Sequence, residues 1–286
     1  MSFFAVQDFY RYIFNLIIMK TMNKPQFSII TIAYNSEKTI ERTIQSVLNQ
    51  NYDDYEYIIV DGASKDGTLD IMKKYEPFFE GRLKWKSEPD DGIYNAMNKG
   101  IKRAIGTIIG IVNSDDWLEP DALLNVYSAF QNNKCDVNTL YCGGIIFHSL
   151  SGEKRLLDVN LESLYQSSKQ YRMAGIRHPA TFVPHNVYDI IGVFDEDIKI
   201  AADSDFIIRC VYGKMKFMRI ESYLSNMSEG GVSTQLGIYK TLKEDRKKVL
   251  KKNGVKGLYY HYLMINWSIE KIVKNLLIRA KLFKTT

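Results

Sequence analysis

The chain has 286 residues, of which 45% are hydrophobic and 25% are charged, as is usual for a globular protein of one large or two smaller domains. Its 18 glycines and 6 prolines are too few for a collagen-like or low-complexity chain, and no apolar run approaches the roughly 18–20 residues that a membrane-spanning helix needs. The net charge of +5 is uneven, because residues 240–286 are strongly basic and the rest is slightly acidic, unlike a uniformly basic nucleic-acid-binding domain.

Residues 1–24 form an apolar, aromatic N-terminal extension that Asp8 and Arg11 interrupt. The extension lacks the basic start and the small-residue cleavage site of a secretory signal. Two interpretations stay open. The segment is an interfacial helix, or the start of the chain is misassigned, since Met22 lies just before the first clear strand.

From residue 25 the sequence alternates between runs typical of strands and runs typical of helices. Apolar, β-branched runs bounded by turn residues predict strands at 27–33, 55–60, 83–86 and 107–112. Apolar residues at helical spacing predict a helix after each strand, the first capped by Ser36 and the last opened by Pro120. Near-continuous apolar strands that alternate with helices predict an α/β fold with a parallel sheet covered on both faces.

Each predicted strand ends in a cluster of polar residues, and carboxylates are frequent in these clusters. Because the carboxyl ends of parallel strands meet at one edge of a sheet, the carboxylates would repel one another there unless a cation lies among them. Asp115 and Asp116 directly follow an apolar strand, and hard oxygen ligands at that point suit Mg²⁺ or Mn²⁺. For Asp66 and Asp90 an ordinary turn role fits as well as a ligand role.

Motifs between residues 27 and about 234 resemble a known family. They are SIITIAYN (28–35), IIVDGASKDGT (58–68), SEPDDGIYNAMNKGI (87–101), GIVNSDDWLEPDAL (110–123), RHPATF (177–182), FDEDIKIAADSDFIIR (194–209) and GGVS (230–233). In this order they resemble an inverting family 2 glycosyltransferase of the GT-A fold, similar to bacterial enzymes that build O-antigen and capsular polysaccharides. The resemblance implies a Rossmann-like, mostly parallel central sheet flanked by helices at 25–239, followed by a C-terminal helical extension at 240–286.

The resemblance also implies a site for a nucleotide-diphosphate sugar, with a divalent cation (Mn²⁺ or Mg²⁺) as cofactor. The residues expected at the nucleotide-sugar are Ala33, Tyr34, Asn35, Asp61, Asp91, Asn98, Ser114 and Asp115. Asp61 should hold the nucleotide base. The family's DxD signature corresponds to Ser114-Asp115-Asp116, so Asp116 is the expected direct metal ligand and Asp115 a ribose or water-mediated contact.

On the acceptor side of the expected site, fewer residues carry the resemblance. Asp203 is the candidate general base, and Asp205 stays an alternative because Ala202 replaces the glutamate common in the family. His178 would line the acceptor pocket or pack in the core as a neutral imidazole. Trp117 would stack on a sugar or serve in packing.

Other positions depart from the family pattern. Gly62 stands where many members have an aspartate, and Met97 stands where others have an arginine. The family has a mobile loop that closes over the donor, and this loop corresponds to Gly230–Ser233.

The C-terminal segment predicts an amphipathic helix over residues 257–283. Its apolar stripe comprises Leu258, Tyr262, Ile265, Ile269, Ile272, Leu276, Ala280 and Phe283. Such a helix packs on the catalytic body or lies on anionic lipid, and the second interpretation is favoured because lipid-linked acceptors would hold the enzyme at a membrane. We expect no nucleic-acid partner. The three cysteines match no zinc pattern and indicate reduced thiols in a cytoplasmic protein. The lipid-linked acceptors that the resemblance implies would place this protein on the inner face of a bacterial cytoplasmic membrane.

The chemistry of sugar transfer explains why these residue types are needed. A metal stabilises the charge that develops on the departing diphosphate, and a carboxylate on the opposite face takes the proton of the acceptor hydroxyl. We therefore expect an inverting, hexosyltransferase-like enzyme that moves a sugar, most simply from a UDP-sugar, to a saccharide or lipid-linked saccharide. The alternatives are a nucleotide-sugar pyrophosphorylase or hydrolase and a catalytically silent nucleotide-sugar-binding protein.

Overall fold

A computed structural model describes residues 24–230 and 238–279. The predicted N-terminal extension, apart from its last residue, and the predicted mobile loop after Gly230 therefore lie outside the described residues. The strands are β1 (Phe27–Ala33), β2 (Tyr55–Asp61), β3 (Leu83–Ser87), β4 (Ile108–Ile111), β5 (Trp117–Leu118), β6 (Thr139–His148), β7 (Lys154–Leu157), β8 (Thr181–Pro184) and β9 (Lys216–Ser228). The helices are α1 (Ile40–Leu48), α2 (Thr68–Tyr75), α3 (Ile93–Arg103), α4 (Ala122–Asn132), α5 (Leu161–Ser168), α6 (His185–Ile191), α7 (Ala202–Tyr212), α8 (Tyr239–Lys252) and α9 (Gly257–Arg279).

The sheet confirms the predicted α/β class and carries its parallel part at one end. Its strand order is β3-β2-β1-β4-β8-β6-β9-β5, with β7 paired to β6. The four predicted strands, β1 to β4, are mutually parallel, and every residue of β1, β2 and β4 is buried. Beyond β4 the sheet is mixed, because β8 runs antiparallel to both β4 and β6 while β6 and β9 are parallel.

Two apolar layers cover the faces of this sheet. Successive strand residues point to opposite faces, so Ile29 packs in one layer and Ile30 in the other. One layer includes Met97 of α3 and Phe206 of α7, and the other includes Ile44 of α1. Helices on both sides thus hold β1 to β4 rigidly, and the loops after these strands form one edge.

The last two helices pack on this body, but α9 leaves one face exposed. Leu263 and Met264 of α9 cluster with Leu250 of α8, and all three side chains are buried. The first residues of the predicted apolar stripe, by contrast, lie at the surface, where Leu258 is 90% exposed and Ile265 is 58% exposed. Among the described residues no helix combines the length and the apolar character required to cross a membrane.

Candidate active site

The acidic turn lies directly after β4. Asp116 is only 2% exposed, and its backbone carbonyl accepts a hydrogen bond of 2.6 Å from the hydroxyl of Thr43 on α1. Its carboxylate accepts a hydrogen bond of 3.2 Å from the amide of Asn113. Asp115 is half-buried beside it. The chain therefore holds both carboxylates at the end of a rigid strand, as the sequence predicts.

The electrostatics of this turn disfavour two negative charges. Burial, and secondarily the charge of Asp115, raises the pKa of Asp116 to about 8, and burial also raises the pKa of Asp115. The side-chain oxygen Oδ1 of Asn113 is buried and has no hydrogen-bond partner among the described residues. Carboxylate and amide oxygens fit a hard divalent cation, which would favour the charged form of both acids.

A cation at this turn would draw part of its coordination from other molecules. Within residues 24–230 and 238–279 no group of three histidine, cysteine, aspartate or glutamate side chains is arranged to hold a metal ion. Mg²⁺ commonly binds through one or two carboxylates together with substrate phosphates and water. Asp115 and Asp116 fit that pattern.

Arg42 of α1 is a site residue that the sequence patterns did not single out. Its guanidinium lies 3.5 Å from the centre of the Trp117 ring and donates a hydrogen bond of 2.9 Å to the backbone carbonyl of Asp115. It also donates to the hydroxyl of Ser228, at the end of β9, at 3.1 Å. Arg42 thus fixes the acidic turn against the last strand. Trp117 also contacts the ring of His148 at 4.7 Å between centroids, so its face is used in packing.

Asp61, predicted at the nucleotide base, is fully buried at the end of β2. It lies between Ala33 of β1 and Ser87 of β3 in the sheet register. Its carboxylate accepts hydrogen bonds from the hydroxyl of Ser64 at 2.5 Å and from that of Ser87 at 2.6 Å. These contacts tie the loops after β2 and β3 together.

The loop after β1 joins the same edge to the acidic turn. Asn35 has a φ of 49°, a left-handed conformation that asparagine tolerates, and its backbone N–H donates to Ser64 at 2.8 Å. The hydroxyls of Ser36 and Ser114 lie 2.8 Å apart. The predicted cap is therefore wrong, because α1 begins later, at Ile40, and the Ser36 side chain faces the acidic turn instead. Tyr34 is 65% exposed at this edge.

The predicted donor residues of the α3 region differ in their surroundings. Asp91 is exposed in the loop before α3. Asn98 uses its side-chain amide within the protein, donating to the Phe194 carbonyl at 2.9 Å and accepting from the Phe194 N–H at 3.0 Å. At Gly62 an added Cβ would lie 2.5 Å from a carboxylate oxygen of Asp90, so the Asp90 side chain would have to move to accommodate a larger residue.

Asp203 and His178 meet in one small pocket. The pocket is also lined by Ile111, the last residue of β4, which places it near the start of the acidic turn. Nε2 of His178 is buried and finds no hydrogen-bond partner in the part of the chain that the structure describes. Burial lowers the pKa of His178, and the neighbouring charge of Asp203 partly opposes that shift. Among the described residues that line this pocket, Asp203 alone carries a formal negative charge.

Asp205 is engaged in a structural contact. Its carboxylate is 4% exposed and forms an ion pair of 2.8 Å with Arg209, one turn later on α7. Arg209 in turn donates to the backbone carbonyl of Ile191 at 2.7 Å. Asp203 is therefore better placed than Asp205 to act as a base.

Comparison with known proteins identifies the family. Residues 28–196 match the model of glycosyl transferase family 2. The chain belongs to glycosyl transferase family 2. An uncharacterised glycosyltransferase of Mycobacterium tuberculosis is 34% identical over 189 residues, which are 65% of this chain and 68% of that protein. A PGL/p-HBAD biosynthesis glycosyltransferase of Mycobacterium bovis is 31% identical over 190 residues, 66% of this chain and 71% of that protein.

Solved structures show that this family 2 glycosyltransferase has the GT-A fold. TarS 1–349 of S. aureus, in complex with UDP-GlcNAc, superposes with a TM-score of 0.57 at 20% identity over 79% of this chain and 66% of that chain. GalNAc-T7, with UDP, GalNAc and Mn²⁺, superposes with a TM-score of 0.60 at 13% identity over 80% of this chain. The match spans only 48% of the GalNAc-T7 chain.

Proposed function

We propose that the chain transfers a sugar from a nucleotide-diphosphate donor, a UDP-sugar first of all, to a hydroxyl of a saccharide or lipid-linked saccharide, with inversion. The observation that carries this proposal is the buried acidic turn after β4, with the pocket of Asp203 beginning at Ile111 of the same strand. Family membership, and the nucleotide and nucleotide-sugar bound to fold neighbours, support a donor of this class.

The donor would lie along the edge formed by the loops after β1, β2 and β4. Asp61 and the backbone of Ala33–Asn35 would enclose the base, and Ser114 and Asp115 would contact the nucleotide-sugar. The contacts of Asp61 with Ser64 and Ser87 keep its carboxylate in one orientation. The side-chain amide of Asn98 is already hydrogen-bonded to the backbone of Phe194, so a donor contact of Asn98 would compete with these bonds.

Asp116 and Asp115 would hold a divalent cation, Mn²⁺ or Mg²⁺, that stabilises charge on the departing diphosphate. Arg42 keeps the turn in place through the carbonyl of Asp115. Across the site, Asp203 would accept the proton of the attacking acceptor hydroxyl. One base opposite one leaving group gives a single displacement and hence inversion.

We further propose that the protein is cytoplasmic and binds the inner face of a bacterial membrane through α9. Exposed apolar residues recur along one side of this helix, at Leu258, Tyr262, Ile265, Ile269 and Val273. Residues 240–286 carry a large excess of basic residues, which suits anionic lipid.

The experiment that tests the proposed function is a donor panel. Uridine-, guanosine- and thymidine-diphosphate sugars are titrated into the protein by calorimetry with Mn²⁺ or Mg²⁺, and donors that bind are then assayed with lipid-linked acceptors. We expect cation-dependent binding of one donor and acceptor-dependent turnover. Asp116→Asn should abolish both, while the matched control Asp70→Asn, on the exposed surface of α2, should change neither. Binding without turnover would favour a silent binding protein, and donor cleavage without acceptor would favour a hydrolase or pyrophosphorylase.

A further inference from the structure

A second cavity lies on the other side of α7 from the sheet core, between α7, α8, α9 and the segment after α5. It has a volume of about 220 Å³ and is partly open to solvent. Ser204 lines the cavity and directly follows Asp203 in sequence, whereas Asp203 itself lines the pocket described above. The cavity plays no part in the donor site described above.

Three basic side chains line this cavity: Arg172, Arg246 of α8 and Lys271 of α9. The acid in its lining, Asp205, is already paired with Arg209 at 2.8 Å. Arg172 is paired with Glu270, an acid of α9, at 2.6 Å. The lining therefore carries an excess of positive charge.

Arg246 is the most unusual of these cations because its residue is only 6% exposed. Two of its nitrogens donate to the backbone carbonyls of Tyr171 and Gln170, and Nε is buried without a partner. In the described part of the chain no carboxylate lies within 4 Å of this guanidinium, although Glu270 is close enough to act on its charge. Burial, and secondarily the positive charge of Arg172, lowers the pKa of Arg246 to about 10. The negative charge of Glu270 opposes this lowering of the pKa only in part, and an anion in the cavity would further offset the cost of burying the cation.

The exposed apolar face of α9 begins beside the cavity. Trp267 and Lys271 line the cavity, while Ile265 and Ile269 of the same helix are exposed. An amphiphile with an anionic group in the cavity would therefore lay its hydrocarbon chain along this face. Ala201 and Ser204, on either side of Asp203 at the start of α7, line the same cavity, so a sugar attached to the anionic group would lie at this end of the helix.

We propose that the cavity between α7, α8 and α9 binds the phosphoryl or diphosphoryl group of an amphiphilic acceptor. The inference rests on the proposed glycosyl transfer and names its acceptor class: a saccharide linked through phosphate to a lipid. Arg246 and Arg172 bind the anionic group, because a guanidinium matches the geometry of phosphate oxygens. Lys271 adds charge from α9.

The test uses the full chain, EDTA and no nucleotide, so that its outcome does not depend on donor binding or on transfer. Decyl phosphate is titrated below its micellar range, and decanol and inorganic phosphate are titrated in parallel. We expect decyl phosphate to bind more tightly than either of the other two probes. Inorganic phosphate that binds as tightly as decyl phosphate would assign the cavity to the free ion, and decanol that binds as tightly would remove the role of the phosphoryl group. Either result overturns the proposal.

Paired variants sharpen this test because they predict opposite changes. Arg172→Gln removes a cation from the lining and should weaken decyl phosphate binding by about tenfold, whereas Glu270→Gln frees Arg172 and should tighten it by about threefold. Lys251→Gln removes an exposed charge of α8 outside the cavity and should change the affinity by less than about twofold.

The same variants separate this proposal from general lipid binding. If Lys251→Gln weakens binding to phosphatidylglycerol vesicles and to decyl phosphate as strongly as Arg172→Gln does, the cations act only as surface charge. That result overturns the proposal. Thermal unfolding of each variant confirms that it is folded. Separate titrations of the donor with Mn²⁺ report on the proposed function. A failure of decyl phosphate to bind can therefore be distinguished from a failure of the donor to bind.

Discussion

The phenolic oxygen of Tyr94 lies 3.2 Å from Oδ1 of Asp203 and 2.6 Å from the backbone carbonyl of Ile200. Tyr94 belongs to α3 and Asp203 to the first turn of α7, so this contact connects two helices that are far apart in sequence. Burial and the nearby charge of Asp203 raise the pKa of the Tyr94 hydroxyl, which therefore stays a hydrogen-bond donor. The candidate base is thus held in one orientation at its pocket.

Asp203→Asn should lower turnover by roughly 10²–10⁴-fold, because the amide cannot accept the acceptor proton. Donor affinity, measured by calorimetry, should stay close to that of the wild-type protein, since the proposal assigns Asp203 to the acceptor and not to the donor. The comparison variant is Asp205→Asn, which breaks the ion pair with Arg209. That change should lower the melting temperature and leave turnover of the folded protein largely intact. Near-normal turnover of Asp203→Asn would transfer the role of base to another group.

The parallel half of the sheet and the acidic turn were predictable because each depends on residues close together in sequence. Strands β1 to β4 are apolar runs buried on both faces, and Asp115 and Asp116 follow β4 directly. Strand β5 has two residues, too few for a clear pattern, and it forms only because β9, more than 100 residues later, pairs with it.

The contacts that orient the site were not predictable for the same reason. Arg42 lies 73 residues before the carbonyl that it binds. In the sequence its position on α1 indicates only the polar side of an amphipathic helix. The amide of Asn98 is committed to a partner 96 residues away. A useful signal would have been the location of Arg42 in the helix that begins at the ligand-bearing edge of the sheet.

Arg42→Lys should weaken the site although it keeps the charge. Lysine cannot stack on Trp117 while donating to both Asp115 and Ser228, so the acidic turn would lose its fixed position. We expect catalytic efficiency to fall by about tenfold, which corresponds to one or two lost hydrogen bonds. Steady-state kinetics at saturating Mn²⁺ measures this effect. Lys38→Gln, an exposed change just before the same helix, is the matched control and should leave the kinetics unaltered. Equal losses in both variants would mean that the charge of this region matters rather than the position of the turn.

The free energy of unfolding should depend on pH through His178. Burial lowers the pKa of His178 in the folded protein below the ordinary value of 6.5 that it regains on unfolding. As pH falls below about 6.5, the unfolded chain binds the proton first, so this histidine makes the folded state progressively less stable until its folded pKa is reached. Above about 7 its contribution is constant.

Urea unfolding at pH 7 and pH 5 measures that dependence. His178→Gln should lose less stability between the two pH values than the wild-type protein, whereas His261→Gln, at an exposed position of α9, should behave like the wild type. Carboxylates contribute to acid unfolding in all three proteins, and the comparison removes their share. If His178→Gln shows the same pH dependence as the wild-type protein, the His178 imidazole is protonated as readily in the folded protein as in the unfolded chain.

The exposed face of α9 predicts that the protein binds anionic vesicles and that single polar substitutions reduce this binding. Burying a full isoleucine side chain in lipid contributes roughly 1.5–3 kcal/mol, so Ile269→Asp should weaken flotation with phosphatidylglycerol vesicles by at least about tenfold. The matched control is Leu156→Asp on β7, a side chain of similar exposure, 59% against 53%, outside the helix. The binding of Leu156→Asp to these vesicles should be unchanged. Raising the salt concentration should also weaken binding, because the excess basic charge of the C-terminal segment acts through a screened interaction. If the two substitutions weaken flotation equally, or if salt has no effect, the face of α9 does not meet a membrane and serves another contact.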